Sequence, residues 1–579
     1  MEELKYTEIL QRNKELAGTG NSQPYTIGIL SNVIINSIKE ILEYSCRTHH
    51  LEPNIEAGNY DNIVQDSTHY QQKDLVIVFY DVLNIIDQVS EYFEDIDEQK
   101  YISLRNKIFS EIDIILENLK NTPSVVFNSF SSACFAGINI QPSKSDQFVD
   151  EINTYLNTKK SNNVTIVNID QLFIHIGLKR SIDYRFYHSS KAPYSFEFFK
   201  WYVLAIEPLI LKNTGKLKKA IIFDCDNTLW KGIIGEDGID AIDMSPTSKE
   251  GRIFHKVQQI AVYLSKRGVL VGICSKNIEL DVLEVFKNHK DMVLKEEHIV
   301  IKKINWVDKV DNIKSIASEL NIGIDSLVFV DDSSFEINLI KEQIPEVHTI
   351  QVPAAIYEYP DLLLKSIRSQ FSLVINSDDA RKTEMYKQQY QREESKKSFT
   401  SIEDYLALLG IELTVFCNNK EHIPRISQLT QKTNQFNLTT HRYTESQIEA
   451  FLSEGNNNIY SMSVKDKYGD NGLTGVCIVK EEGINPKKVI IDTLLMSCRI
   501  IGRNIEIAYV DFIINDLTRK GYEVLTAEYI PTKKNEQVAD FYEKMGLHLI
   551  HHSKEIKQYE LKISEYEKNK IEYIKVSSQ

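Results

Sequence analysis

Ala220-Ile-Ile-Phe-Asp-Cys-Asp-Asn-Thr-Leu-Trp230 decides how this chain is read, because four apolar residues run straight into two carboxylates and a hydroxyl. Such a run predicts a buried strand whose carboxyl end delivers acidic side chains into a crevice. Side chains alternate along a strand, so Asp224 and Asp226 are expected on one face and Cys225 on the other. Two carboxylates on one face repel, and a hard cation with oxygen ligands is the common remedy.

The residues that follow supply a matching set of polar strand ends. Ser248 to Lys266 carries Ile253, Val257, Ile260 and Leu264 at helical spacing. Gly268-Val-Leu-Val-Gly-Ile-Cys274 is a second buried strand ending in Ser275-Lys276-Asn277, where a hydroxyl and backbone N–H groups can hold a phosphate oxygen. Trp306-Val-Asp-Lys309 precedes a helix containing Ile313, Ile316 and Leu320, and Ser326-Leu-Val-Phe-Val330 is a third strand that ends in Asp331-Asp332. Singly these are an N-cap, a solvated charge and a turn.

In this order they resemble the four motifs of the haloacid-dehalogenase superfamily: D-x-D-x-T in Asp224, Asp226 and Thr228, then Ser275, Lys309 and the acidic pair. The resemblance implies that Asp224 attacks phosphorus and that Asp226 serves as general acid and base. It further implies Mg²⁺ held by Asp224, the backbone carbonyl of Asp226 and Asp331, with Ser275 and Lys309 on the phosphoryl oxygens. Asp332 and Glu336 are expected to support Lys309 or a metal-bound water. Only the loop Lys231-Gly-Ile-Ile-Gly-Glu-Asp-Gly238 follows the first motif, which leaves no room for a large cap before Ser275.

At 579 residues the chain is expected to hold roughly three or four domains. A net charge of −15 argues against a general nucleic-acid binder. No apolar stretch approaches the ~20 residues of a membrane span, and Met1-Glu-Glu-Leu-Lys-Tyr6 lacks the layout of a secretory signal. Cysteines 46, 134, 225, 274, 417, 477 and 498 are scattered without a C-x-x-C pair, so neither a zinc site nor a disulfide framework is expected. A cytoplasmic protein without membrane or nucleic-acid partners fits these bounds.

Before the decisive stretch, Tyr25 to Asn32, Leu75 to Phe79, Ser124 to Phe127 and Val164 to Val167 read as strands alternating with helices, the first of these from Ser37 to Tyr44. They predict a parallel α/β domain over 1–214. Ser31 and Asn59 loosely resemble the Ser and Asn blocks of the SGNH hydrolase fold. There is no G-D-S at Ser31 and no D-x-x-H, although His175 and His188 lie nearby in sequence, so both residues are read as caps and loop contacts. His188-Ser-Ser-Lys-Ala-Pro-Tyr194 is read as a contact surface.

Beyond the phosphatase-like domain, placed at 215–375, the charged stretch Asp378 to Lys397 predicts a solvated helical connector over 376–402. In the last domain, 403–579, Glu412 to Phe416 reads as a strand and Thr430 to Asn437 as a polar segment. Lys467-Tyr-Gly-Asp-Asn-Gly472 is expected as a tight turn centred on Asn-Gly. Val489 to Met496 is a long strand running into Ser497-Cys-Arg-Ile-Ile-Gly-Arg-Asn504 and a helix. That junction resembles the R-x-x-G-x-G/A coenzyme-A loop of the GNAT acetyltransferases in Arg499, Gly502, Arg503 and Asn504, with Asn504 replacing the last small residue. Tyr542 stands where that fold often places a general acid. The expected architecture is therefore multidomain α/β: an SGNH-like α/β domain, a Rossmann-like haloacid-dehalogenase sheet without large cap, and a GNAT-like α+β domain.

Over most of its length the chain resembles the FkbH-like proteins of the haloacid-dehalogenase superfamily. Asp224 to Gly238, Cys274-Ser-Lys-Asn277, Ile304-Asn-Trp306, Gln428 to Leu438 and Asp492 to Arg499 carry the likeness. It implies a glyceryl transferase and phosphatase, as in polyketide biosynthesis. Such an enzyme takes a phosphorylated three-carbon unit from 1,3-bisphosphoglycerate, removes phosphate and loads the glyceryl group on the phosphopantetheine thiol of an acyl carrier protein. Phosphopantetheine or coenzyme A would then occupy the GNAT-like domain, with Cys498 as the first candidate for an acyl-bearing thiol, Cys274 as the second and Cys225 as a core residue. Two alternatives stay open: a phosphatase or acyltransferase tailoring another metabolite or saccharide, and a non-catalytic scaffold that binds carrier proteins.

Overall fold

The computed structural model describes residues 1, 4–18, 23–86, 89, 92–134, 141–371, 385–388, 392, 402–455, 457–481, 487–497, 500–532, 534–569 and 571–579. They form two compact units, Met1–Thr214 and Gly215–Gln579. Among the described residues no helix is long and apolar enough to cross a membrane.

The first unit is built on β1 (Gln23–Ser31), β2 (Leu51–Ala57), β3 (Leu75–Phe79), β4 (Val125–Asn128) and β5 (Val164–Val167), all parallel in the order β2-β1-β3-β4-β5. β3 is buried throughout. A strand covered on both faces has no polar side to show, which is why Leu-Val-Ile-Val-Phe lacks alternation. Ile77 and Phe79 pack with Ile41 and Phe199, while Val76 and Val78 pack with Ile112 and Phe148 in a separate cluster. The hydroxyl of Ser31 turns back on Val33, accepting from its N–H at 3.1 Å and donating to its carbonyl at 2.8 Å. Asn59 is tied to Asp66. His175 meets the ring of Trp201 and His188 that of Tyr187, and among the described residues neither is bonded to Ser31.

In the second unit β6 (Ala220–Phe223), β7 (Leu270–Ser275), β8 (Ile299–Ile304), β9 (Leu327–Asp331) and β10 (His348–Gln351) form a parallel sheet in the order β10-β9-β6-β7-β8. β6 is thus the strand at which the order reverses, the place where a crevice opens in such sheets. Phe223 stands opposite both Ile273 and Val330, so the carboxyl ends of β6, β7 and β9 lie level. Gly272 makes the close fit of β7 possible, since a Cβ there would lie 2.6 Å from Ile222 Cδ1.

The same unit carries a mixed sheet of nine strands: β11 (Ile411–Cys417), β12 (Phe436–Asn437), β13 (Asn457–Asp466), β14 (Gly469–Glu481), β15 (Lys488–Met496), β16 (Val524–Tyr529), β17 (His548–His552), β18 (Lys557–Lys562) and β19 (Ile574–Ser578). Parallel β15 and β16 pair from Lys488/Val524 to Ile491/Ala527 and then part. Past that point Phe436 and Asn437 pair with Met496 and Leu495. The Leu438 N–H donates to Leu494, and the Leu438 carbonyl accepts from the Ile530 N–H, so the segment bridges the parted strands.

Two expectations are corrected here. The β13–β14 turn is Lys467-Tyr468, and Asn471-Gly472 lies inside β14. Asp466 sets this turn by accepting the Tyr468 N–H at 2.9 Å, and a register shift between Ser463 and Lys465 absorbs the offset. The expected connector over 376–402 lies mostly outside the described residues, but Met385, Tyr386 and Arg392 within it are buried, which a solvated helix would not show. Tyr386 joins the apolar cluster under β9. Arg392 makes a two-pronged pair with Asp466 at 2.9 Å and 2.9 Å, and Arg503 approaches the same carboxylate at 3.0 Å.

Asp466 is fully buried between two guanidinium groups. Removing one partner of a buried pair leaves unpaired charge and costs about 3–5 kcal/mol. Asp466→Ala is therefore expected to lower the thermal transition of the C-terminal sheet markedly, and circular dichroism melts showing an unchanged transition would contradict it.

Candidate active site at the carboxyl end of β6

Because the strand ends lie level, three side chains that are far apart in sequence meet. Asp224 follows β6, with its N–H donated to Val330 at 2.9 Å, while Asp331 ends β9 and Ser275 ends β7. Lys309 enters from the first turn of the helix Lys309–Glu319, which Asp308 caps by accepting the Val310 N–H. Its ammonium lies 3.0 Å from Asp224 Oδ1 and 2.6 Å from Asp331 Oδ2, with all three residues buried.

The carboxylates of Asp224, Asp331 and Asp332 each bring an oxygen within 4.8 Å of the others. Three carboxylates face one ammonium, so the fully ionised cluster carries a net charge of −2, and it offers only hard oxygen ligands. That is the donor set and the charge deficit that a small divalent cation satisfies. Without one, burial pushes the Asp224 carboxyl up to about 6 against the pull of Lys309, and burial raises Asp331 and Asp332 as well. Burial opposes the Lys309 charge, yet Asp224 and Asp331 hold its ammonium above its ordinary range.

Asp226 stands apart from this cluster. Asn227, at φ 50°, turns the chain, and Asp226 Oδ1 accepts from Trp230 Nε1 at 2.9 Å and from the Ile234 N–H at 3.0 Å. Its Oδ2 accepts from Asn277 Nδ2 at 2.9 Å, and the same amide donates to Ser275 Oγ at 3.0 Å. Asn277 thus ties the two motifs together, a role its place in Ser275-Lys276-Asn277 did not disclose. Thr228 is fully buried, its hydroxyl has no partner among the described residues, and its carbonyl accepts from Tyr359. Glu336, expected to support Lys309 or a metal-bound water, pairs with Lys276 at 2.7 Å. Asp332 joins the carboxylate cluster itself rather than a supporting layer.

Of the cysteines, Cys274 is buried and burial pushes its thiol up to about 12, and Cys225 is likewise buried. Cys498 and Arg499 lie outside the described residues. In the loop that follows, Gly502 has φ 80° and Asn504 has φ 59° at the start of the helix Ile505–Arg519, with its amide donating to Tyr573 at 2.6 Å. Arg503 is turned to Asp466, and Tyr542 is packed against Phe541 and Tyr559, its buried hydroxyl without a partner among the described residues.

No protein-family profile and no curated protein matches the chain. Among solved structures, it is similar to the N-terminal part of BF1531 from Bacteroides fragilis, described as containing a phosphatase domain complexed with Mg. The likeness is 23% identity and a TM-score of 0.55 over 64% of this chain and 99% of that one. A putative acetyltransferase of the GNAT family from Desulfovibrio desulfuricans aligns with 26% of this chain and 99% of its own at 11% identity and a TM-score of 0.21. The ribosomal-protein-S18-alanine N-acetyltransferase of Escherichia coli aligns with 28% of this chain and 99% of its own at 12% identity and a TM-score of 0.21. The chain thus shares over most of its length the fold of a structure that contains a phosphatase domain.

Proposed function

We propose that this chain is a Mg²⁺-dependent phosphatase joined to an acyl-transfer function. The observation that carries the first half is the buried Lys309 ammonium shared by Asp224 and Asp331 beside a third carboxylate. Asp224, Asp331 and Asp332, with the carbonyl of Asp226, would hold the cation, which supplies positive charge where a phosphoryl group gathers negative charge. Asp224 attacks phosphorus as the P–O bond to the leaving oxygen breaks, and Asp226 gives that oxygen its proton. Asp226 then takes a proton from the water that hydrolyses the aspartyl phosphate. Lys309 and Ser275 orient the remaining phosphoryl oxygens. The three donors on Asp226 keep it aimed while its proton moves.

The fuller reading follows the resemblance to FkbH-like proteins: a glyceryl group from 1,3-bisphosphoglycerate is passed to the phosphopantetheine thiol of an acyl carrier protein, and phosphate is removed. An acyl phosphate is already activated, so thiolate attack on its carbonyl carbon gives a thioester and expels phosphate. Cys498 is the proposed thiol that carries the acyl group within this chain, since Cys274 is shut in the core. Arg499, the backbone at Gly502 and Asn504, and Tyr542 are the proposed contacts for pantetheine or coenzyme A. Arg503 is engaged by Asp466, so its contribution would come from its backbone N–H.

Asp224→Asn is expected to lower phosphate release from a phosphomonoester by at least about 1,000-fold, because the variant lacks the nucleophile; release at the parental rate would remove Asp224 from the mechanism. A cation competes with the proton on Asp224, whose folded-state value near 6 lies above the ordinary carboxylate value. Without a cation, therefore, stability falls as pH rises from the ordinary carboxylate range through about 6, and the gain from Mg²⁺ grows over the same window. The rise in Tm on adding Mg²⁺ should be larger at pH 7.5 than at pH 5, and an equal rise at both would contradict the assignment. With 1,3-bisphosphoglycerate, Mg²⁺ and holo-carrier protein, a glyceryl adduct on the carrier is expected by intact mass; phosphate release without an adduct would confine the activity to hydrolysis.

A further inference from the structure

The point where β15 and β16 part carries a second polar constellation. Asp492 lies one residue beyond the last β15–β16 pair, Ile491/Ala527. Its Oδ1 accepts from Lys480 Nζ at 2.7 Å, and its Oδ2 accepts from Tyr443 Oη at 2.7 Å and Thr493 Oγ1 at 2.8 Å. Burial works against its charge, but the His441 ring facing it and the hydrogen bonds from Lys480 and Tyr443 hold it well below the usual carboxylate range. His441 faces this carboxylate with Nδ1, 3.7 Å from Oδ2 and 3.1 Å from the Asp492 carbonyl oxygen.

A carbonyl oxygen only accepts, so Nδ1 must carry the hydrogen, and the neutral ring keeps its lone pair on Nε2. Nε2 has no partner among the described residues, and the side chain is 39% exposed. The turn presenting this ring is itself strained. Thr440, a β-branched residue, sits at φ 57°, held by Asn437 Oδ1 accepting its N–H at 2.9 Å. Beside His441 in the chain, Thr439 Oγ1 donates to the Asp492 carbonyl, and the part-buried Arg442 donates to the Gln431 carbonyl and to Asn434 Oδ1. Backbone strain over-determined by neighbours in this way is typical of sites where a side chain must be aimed.

We propose that His441, oriented by Asp492, is the general base that takes the proton from the incoming thiol in acyl transfer; this rests on the acyl-transfer reading given above. When a thiol attacks the acyl phosphate, the S–H proton moves to Nε2, sulfur bonds to the acyl carbon, the C–O bond to phosphate breaks and the proton passes to the departing phosphate. When the pantetheine thiol attacks an acyl group held on Cys498, the C–S bond to Cys498 breaks and the proton passes to its sulfur. The charged Asp492 stabilises the imidazolium between those two moments, and Lys480 and Tyr443 keep Asp492 in place.

The test uses the full chain with acetyl phosphate as acyl donor and free pantetheine as thiol probe, and reads thioester by mass spectrometry. His441→Asn retains an amide N–H for the Asp492 carbonyl but has no base. It is expected to lower thioester formation by about 100-fold or more, with Tm and phosphomonoester hydrolysis unchanged, and added imidazole should restore part of the rate lost in His441→Ala. Thioester formed at the parental rate by His441→Asn overturns this inference alone. A loss that tracks a fall in Tm and resists imidazole returns His441 to a structural role and also overturns it. No thioester from the unaltered protein overturns the acyl-transfer reading and this inference with it.

Discussion

The ammonium of Lys309 is the interaction on which the central sheet's chemistry depends. It occupies the first turn of a helix, where the backbone dipole disfavours a cation by about 0.3–1 kcal/mol. Two buried carboxylates within 3.0 Å outweigh that, since breaking a buried pair costs about 3–5 kcal/mol. The position is thus chosen for the site at a small cost to the helix. The ladder between β6 and β9 fixes the distance between their ends, and Lys309 bridges the two carboxylates that those ends hold close. Burial above all, with the repulsion that is left, raises the proton affinity of these carboxyls, and any cation entering the site meets a pre-assembled group of oxygens.

How much of this was legible in the sequence followed from periodicity and from what periodicity cannot carry. The apolar runs at Ala220, Leu270 and Leu327 each ended in a polar residue at the predicted place, because a central parallel strand has only one way to reach solvent. Register between strands is a three-dimensional property, and only the pairing of Phe223 with Ile273 and Val330 brings their ends level. Asn277 went unassigned because an amide bridging Asp226 and Ser275 leaves no spacing pattern. The Asn471-Gly472 pair misled for a related reason: a good local turn former was overruled by Asp466, which is anchored by two arginines from distant parts of the chain.

The C-terminal sheet shows how a pair of parallel strands can be opened without exposing backbone. Beyond Ile491 and Ala527 the ladder bonds that β15 and β16 no longer exchange are taken over by residues 436–438, whose groups bond to both sides. Unpaired N–H and C=O groups in a buried place are costly, so the parted strands needed such an insert. The same insert continues directly into the strained turn at Thr440, which ties the placing of His441 to the main-chain bonding of the sheet.

Tyr386 and Arg392 lie six positions apart, yet one is buried under the parallel sheet and the other against Asp466 of the mixed sheet. A single short segment therefore acts as a suture between two hydrophobic bodies. Cutting the gene on either side of it would not release two finished halves. The half without the segment would keep a notch where the tyrosine belonged or a carboxylate short of one of its cations, and it would offer that surface to whatever molecule it met next.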